Sequence, residues 1–367
     1  MRITAALAVM LLAISCGGNA GHSPSPAASV GATTSPSGSP AVASYGLLLT
    51  AGTLEMITPA GTVAAHAKVA APSVHTCGQN TAALLQPPVS ASDDKVYYRD
   101  GNTNIKFLTS DGQTGNVTTV PGSATTVSFF SVSPDDSRIA VMVEDLSPAT
   151  TIKLSLYVED LTGHTNHSVI FTNTVPKFKN ASTLWPMGWH NGLLALAVWA
   201  PCTFEPAGLV PTEWHVANAT TAVRVATIGN PCIPSYWPSP AGVLCLTTTG
   251  GPGTATLYDW SGKVIGGVPT DVNDFQSGLS PSGQAIFFTP GVGIGAPPPS
   301  TRIAPVAPPN TFISVSGHAA CLWIDDNTLL APDAVITVQR PSGGPWHAGF
   351  TALPASGVCA GRFPGGL

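Results

Sequence analysis

The feature that most restricts this chain is an internal repeat of four short strands, recurring about every 40 to 55 residues. Its clearest copy is residues 128–172, which reads SFFSVS, the turn Pro134-Asp135-Asp136-Ser137, RIAVMVE, a loop, LSLYVED, the turn Leu161-Thr162-Gly163, then HSVIFT. Apolar residues alternate within each short run and turn-forming residues separate the runs, which is the pattern of an antiparallel meander. Turns of the same kind start near residues 92, 134, 190, 239, 280 and 325: Ser92-Asp93-Asp94-Lys95, Pro134-Asp135-Asp136-Ser137, His190-Asn191-Gly192, Ser239-Pro240-Ala241-Gly242, Ser280-Pro281-Ser282-Gly283 and Asp325-Asp326-Asn327. Each precedes a strand-like run such as VYYRD, LLALAVW, VLCLTTT, QAIFFTP or TLLAP. A unit this size cannot bury its apolar faces alone, so the copies must stack on one another.

The phrase SVSPDDSRIAV resembles the repeat of TolB-type and WD-repeat-like propellers, and LYVEDLTG resembles the end of their third strand. The resemblance covers the blade turns and implies an all-β, β-propeller fold of four-stranded blades. It includes no segment that would carry over a TolB partner. Six blades are complete in sequence. A seventh, over Tyr45 to Ala70, reads as three strands without an inner one, and Gly357 to Phe363 follows the last full blade with no blade of its own. The expectation is seven blades, with N- and C-terminal strands joined in one sheet so that no edge is left exposed. Six or eight blades, or a pair of β-sandwiches, are the alternatives.

The opening MRITAALAVMLLAISCGG has one arginine and an apolar run of about 12 residues, too short to span a bilayer but suited to a signal-peptide core. Ala13-Ile14-Ser15-Cys16 resembles the lipobox of bacterial lipoproteins, with Ala13 departing from the usual leucine. The resemblance implies cleavage after residue 15 and a lipid on Cys16; an ordinary signal peptide cut nearby is the competing reading. Residues 17–44 carry no charge and are built from small and turn-forming residues, as expected of a tether. The expected organisation is thus a signal peptide over 1–15, a lipidated cysteine and tether over 16–44, and the propeller over 45–367. It places the chain outside the cytoplasm, held to the cell membrane by its lipid.

Composition narrows the partners. Charged residues make up 9% of the chain, against roughly a quarter in an average globular protein. The net charge is −5 and no Lys/Arg cluster occurs, which argues against nucleic acid. Six cysteines besides Cys16 suggest disulfides in an oxidising space. Cys202 with Cys232 is the preferred pair, since both lie in proline-bearing loop sequences. Cys77 with Cys359 would fasten the closing blade. Cys245 and Cys321 remain, to pair or to stay as buried thiols. No zinc-like spacing is present and no cofactor or metal is expected.

Catalytic candidates are structural in type. Asp93-Asp94, Asp135-Asp136 and Asp325-Asp326 all fall in turns, where Asp caps backbone amides. His164 and His167 share a polar turn. No Gly-x-Ser-x-Gly elbow appears. Trp185, Trp189, Trp199, Trp214 and Trp237 crowd one blade and its borders. Trp185 and Trp237, each beside a proline, and Trp189 with His190, are the surface-binding candidates, although tryptophans between blades can equally be core. The sequence therefore points to a monomeric, membrane-anchored propeller that binds a protein, peptide or glycan. An enzyme acting on cell-envelope or environmental glycans, or an accessory subunit of an envelope complex, are the rival readings. Carboxylates or histidines converging in the channel would favour the enzyme.

Overall fold

The computed structural model describes residues 43–76, 82–84, 88–177, 181–201, 211–247, 253–271, 274–290, 298–307, 311–342 and 344–367. The proposed signal peptide, Cys16 and nearly all of the tether lie outside these residues, as do Cys77 and Cys202. Residues 42–367 form one compact unit. Among the described residues there is no helix.

The unit is a ring of seven four-stranded antiparallel sheets. Blades 1 to 6 span residues 89–119, 126–176, 183–229, 233–270, 274–316 and 322–352. Within each, strands run in chain order from the inside of the ring outward, a to d. Blade 7 takes its inner strand, Val358–Phe363, from the C-terminal end and its other three, Tyr45–Thr50, Thr53–Ile57 and Val63–Lys68, from the N-terminal end. The two ends pair antiparallel from Tyr45↔Phe363 to Leu49↔Val358. This is the closure expected from the missing strand at residue 45. A small additional hairpin, Val74–Thr76 with Ala82–Leu84, lies between blades 7 and 1.

The recurrent serine has a specific task. Ser92, Ser133 and Ser280 are buried, and their hydroxyls accept from the backbone N–H groups of Lys95, Arg138 and Ala285. Buried Ser239 extends the pattern between blades by donating to the Ser280 carbonyl at 2.8 Å. Each hydroxyl thus satisfies a polar group that the tight turn would otherwise bury unpaired. Counted from the serine, the fourth position is left-handed in two of these turns, with φ of 58° at Asp136 and 73° at Gly283. That conformation explains Gly or Asp there.

The core lies between adjacent blades. Val96, Tyr98 and Leu108 of blade 1 pack on Leu47, Leu54 and Met56 of blade 7. Phe287 and Ile303 of blade 5 pack on Trp323 and Leu329 of blade 6. Middle strands are buried on both faces, so Ala285–Pro290 reads as a continuous apolar run. Outer strands alternate, as in Val63–Lys68.

The cysteine pairing differs from the sequence expectation. Cys232 is bonded to Cys245, with Cα atoms 5.5 Å apart, and not to Cys202. Cys359 is bonded to Cys321, with Cα atoms 6.4 Å apart, and not to Cys77. The cause is the brevity of blade 4's inner strand, Ile233–Pro234, which looks like loop in sequence. It pairs with Val243–Leu246, bringing Cys232 beside Cys245. The second bond joins blade 6 to the inner strand of blade 7 and so reinforces ring closure. Replacing Cys321 and Cys359 together by alanine is expected to lower stability by about 2–4 kcal/mol, measured by urea unfolding of the 42–367 unit.

Candidate functional site

Trp185 and Trp189 lie on the inner strand of blade 3, Thr183–His190, and are buried. Trp185 stacks on Phe129 of blade 2 at 3.9 Å and meets Trp199 at 5.2 Å. Its Nε1–H donates to Glu144 at 3.2 Å. Trp189 donates to the Ser131 carbonyl of blade 2. Trp323, on the inner strand of blade 6, does the same to Gly278 of blade 5. Trp185 and Trp189 are therefore pins between neighbouring blades, and the surface role expected for them is corrected. Proline at 186 suggested a loop. In fact Pro186 sits within the strand, next to a register shift.

Trp237 and His190 are half-buried, at the channel end that carries the a–b turns. Two cavities there, about 50 and 30 Å³, are shared by inner-strand residues of several blades, which places them on the ring axis. Val89 of blade 1, Met187 of blade 3, Trp237 of blade 4 and Arg362 of blade 7 surround the larger one. Burial pushes Arg362 down to about 10, which leaves it charged at neutral pH. A water takes roughly 30 Å³, so these spaces admit little more than water. Among the described residues that line them there is no Asp, Glu or His.

Residues 364–367 cross this mouth. The Gly365 N–H donates to the Ser92 carbonyl of blade 1, and the Leu367 N–H to the Trp189 carbonyl of blade 3. Arg362 Nη2 donates to Gly366 O, and His190 Nδ1 lies 2.6 Å from Leu367 O. The Leu367 side chain fills the space over Gly188, where an added Cβ would come within 2.4 Å of it. His190 thus holds the tail.

The paired aspartates are turn and inter-blade ligatures. Asp135 accepts from Ser133 and Ser137, and Asp326 accepts from the Ser282 N–H of blade 5. Lys95 of blade 1 is ion-paired with Asp136 of blade 2. Partial burial, then the charges of Asp94, Asp136 and Asp135, hold the Asp93 carboxyl above its ordinary 3.8. A carboxyl raised on folding contributes stability that is full below its unfolded value and lost as pH rises through the folded value. Asp93→Asn should therefore raise Tm at pH 7, on the order of 1–2 °C, and the gain should vanish by pH 3. Thermal melts at the two pH values check this.

His164 and His167 flank one carboxylate. Their Nδ1 atoms lie 2.7 and 2.8 Å from the two oxygens of Glu159, itself buried. Among the described residues no group of His, Cys, Asp and Glu is arranged to hold a metal ion.

A larger space opens between blades 2 and 3, about 570 Å³. Its walls are apolar: Leu156, Phe171 and Val175 face Leu184, Leu196 and Val198. Its polar side chains include Glu213, His215 and Arg224, on the two outer strands of blade 3, Glu213–Asn218 and Arg224–Gly229. Period-two alternation puts Glu213, His215 and Ala217 on one face of their strand. Arg224 Nη1 donates to His215 Nε2 at 3.1 Å, and Glu213 Oε2 lies 3.7 Å from the same ring. Burial, then the Arg224 cation, hold His215 below the usual imidazole range, so it is neutral and can accept. Sequence reading missed this trio. The signal was there, in EWHVAN and AVRVATI as alternating strands, but nothing in one sequence says that blade 2 stands off from this face.

No protein-family model matches the chain, and no curated protein does. Among solved structures it is similar to an oligogalacturonate lyase in complex with manganese, at 13% identity and TM-score 0.45, over 72% of this chain and 76% of that one. It is similar to a chain of the mitotic checkpoint complex at 12% and 0.45, over 73% and 80%. A provisionally named TolB from Agrobacterium tumefaciens matches at 13% and 0.36, over 75% and 93%. At such values these matches carry no argument about activity. The seven-bladed ring rests on its own strand pairing.

Proposed function

We propose that the chain is a lipid-anchored, extracytoplasmic propeller that acts as a binding module for a protein, peptide or glycan of the cell envelope. The observation that carries the reading is a contrast in cavities. A ligand-sized space between blades 2 and 3 is an apolar cleft whose one histidine is neutral and hydrogen-bonded to an arginine. The axial spaces are water-sized, and among their described lining residues there is no Asp, Glu or His. Pockets of about 300–1,000 Å³ with apolar walls and a few polar groups are typical of binding sites. Two disulfides support an oxidising compartment.

Two measurements test the proposal. Metabolic labelling with a palmitate analogue is expected to mark the wild type and not Cys16→Ser; equal labelling of both removes the anchor. The purified 42–367 unit, immobilised, is expected to retain an envelope component saturably while releasing no reducing sugar from envelope glycans. Steady release of reducing ends would replace the binding module with an enzyme.

A further inference from the structure

The cleft between blades 2 and 3 has two chemical zones. Leu184, Leu196 and Val198 come from the inner two strands of blade 3, so the part nearer the ring axis is hydrocarbon. His215 and Arg224 come from the outer two strands of blade 3 and put a polar patch on that wall nearer the rim, opposite Leu156, Phe171 and Val175 on the apolar outer strands of blade 2. A molecule that satisfies both zones is an amphiphile entering tail first.

The charge at the rim selects the head group. Lys95, Lys106 and Arg302 each sit against a carboxylate. Among the described residues Arg224 makes no ion pair, and its contact is with a neutral imidazole. A guanidinium keeps several donors in one plane, so after serving His215 it retains an edge of N–H donors for a planar anion. Glu213, beside the same imidazole, disfavours a dianion such as a phosphate monoester and leaves a monoanion as the better fit. Resting on the binding reading above, we propose that this cleft binds a single-chain carboxylate amphiphile, its chain between blades 2 and 3 and its carboxylate on Arg224.

Calorimetric titration of the 42–367 unit with decanoate and with decanol, both kept below aggregation, tests it. The wild type is expected to bind decanoate saturably at one site, about tenfold more tightly than decanol, as a charge-assisted hydrogen bond provides. Arg224→Gln, at an exposed position, should keep the wild-type Tm and reduce that preference to within about twofold. Ala181→Trp, at the cleft wall, should abolish both. Equal affinity for acid and alcohol in the wild type, a preference that survives Arg224→Gln, or no saturable decanoate binding would each overturn the assignment. If decanoate fails while the unit still retains an envelope component, the amphiphile site falls and the binding module stands.

Discussion

Removing residues 357–367 is expected to abolish the cooperative unfolding transition. The deletion takes away the inner strand of blade 7 and uncovers Leu47 and Leu48, which are 1% and 0% exposed. It removes Phe363, whose ring packs near Tyr45, and leaves Cys321 without its bonded partner. Loss of a large buried aromatic costs about 3–5 kcal/mol, and loss of a disulfide about 2–4 kcal/mol. Together they approach the whole stability of a typical domain, about 5–15 kcal/mol. The tail that joins blade 7 to blades 1 and 3 goes as well. Near-UV circular dichroism during heating, with limited trypsin digestion, reads the result. A truncated chain that still melts cooperatively within a few degrees of wild type would show that the ring closes without this strand. Adding the missing segment as a synthetic peptide should restore the transition, because its partner strand is preserved.

Trp185→Ala should produce the next largest loss, about 3–5 kcal/mol. The side chain is buried against Phe129 and Trp199, and its indole N–H donates to Glu144, itself fully buried. Trp185→Phe keeps much of the ring packing and removes only the donor, so it should cost about 1–3 kcal/mol. The gap between the two variants separates packing from the hydrogen bond. Urea unfolding of the 42–367 unit measures both. A surface-binding tryptophan would behave otherwise: truncation would change stability by no more than about 0.5 kcal/mol.

The ring was legible because its turns repeat a chemical requirement. In four of the six a–b turns a buried serine satisfies backbone N–H groups, so Ser92, Ser133, Ser239 and Ser280 mark their blades in sequence. The closing strand was legible as a deficit, three strands at residue 45 and one left over at residue 358. Other features depend on contacts between blades, which no local pattern encodes. Trp189 finds its acceptor at Ser131, in the preceding blade. Cys232 finds its partner through a two-residue strand. The cleft is assembled from residues as distant as Leu156 and Arg224, and its volume depends on how far two sheets stand apart.

Closure by the two ends also sets a schedule for the growing chain. Among the described strands Tyr45–Thr50 is made first, and its inner neighbour, Val358–Phe363, comes more than 300 residues later. In N-to-C delivery of the chain, the inner edge of Tyr45–Thr50 waits for its partner until the other six blades have been delivered. Throughout the interval it offers unpaired backbone and an apolar face to any other chain. A chaperone that shields Leu47 and Leu48 until the closing strand arrives is therefore expected to raise the yield of folded protein.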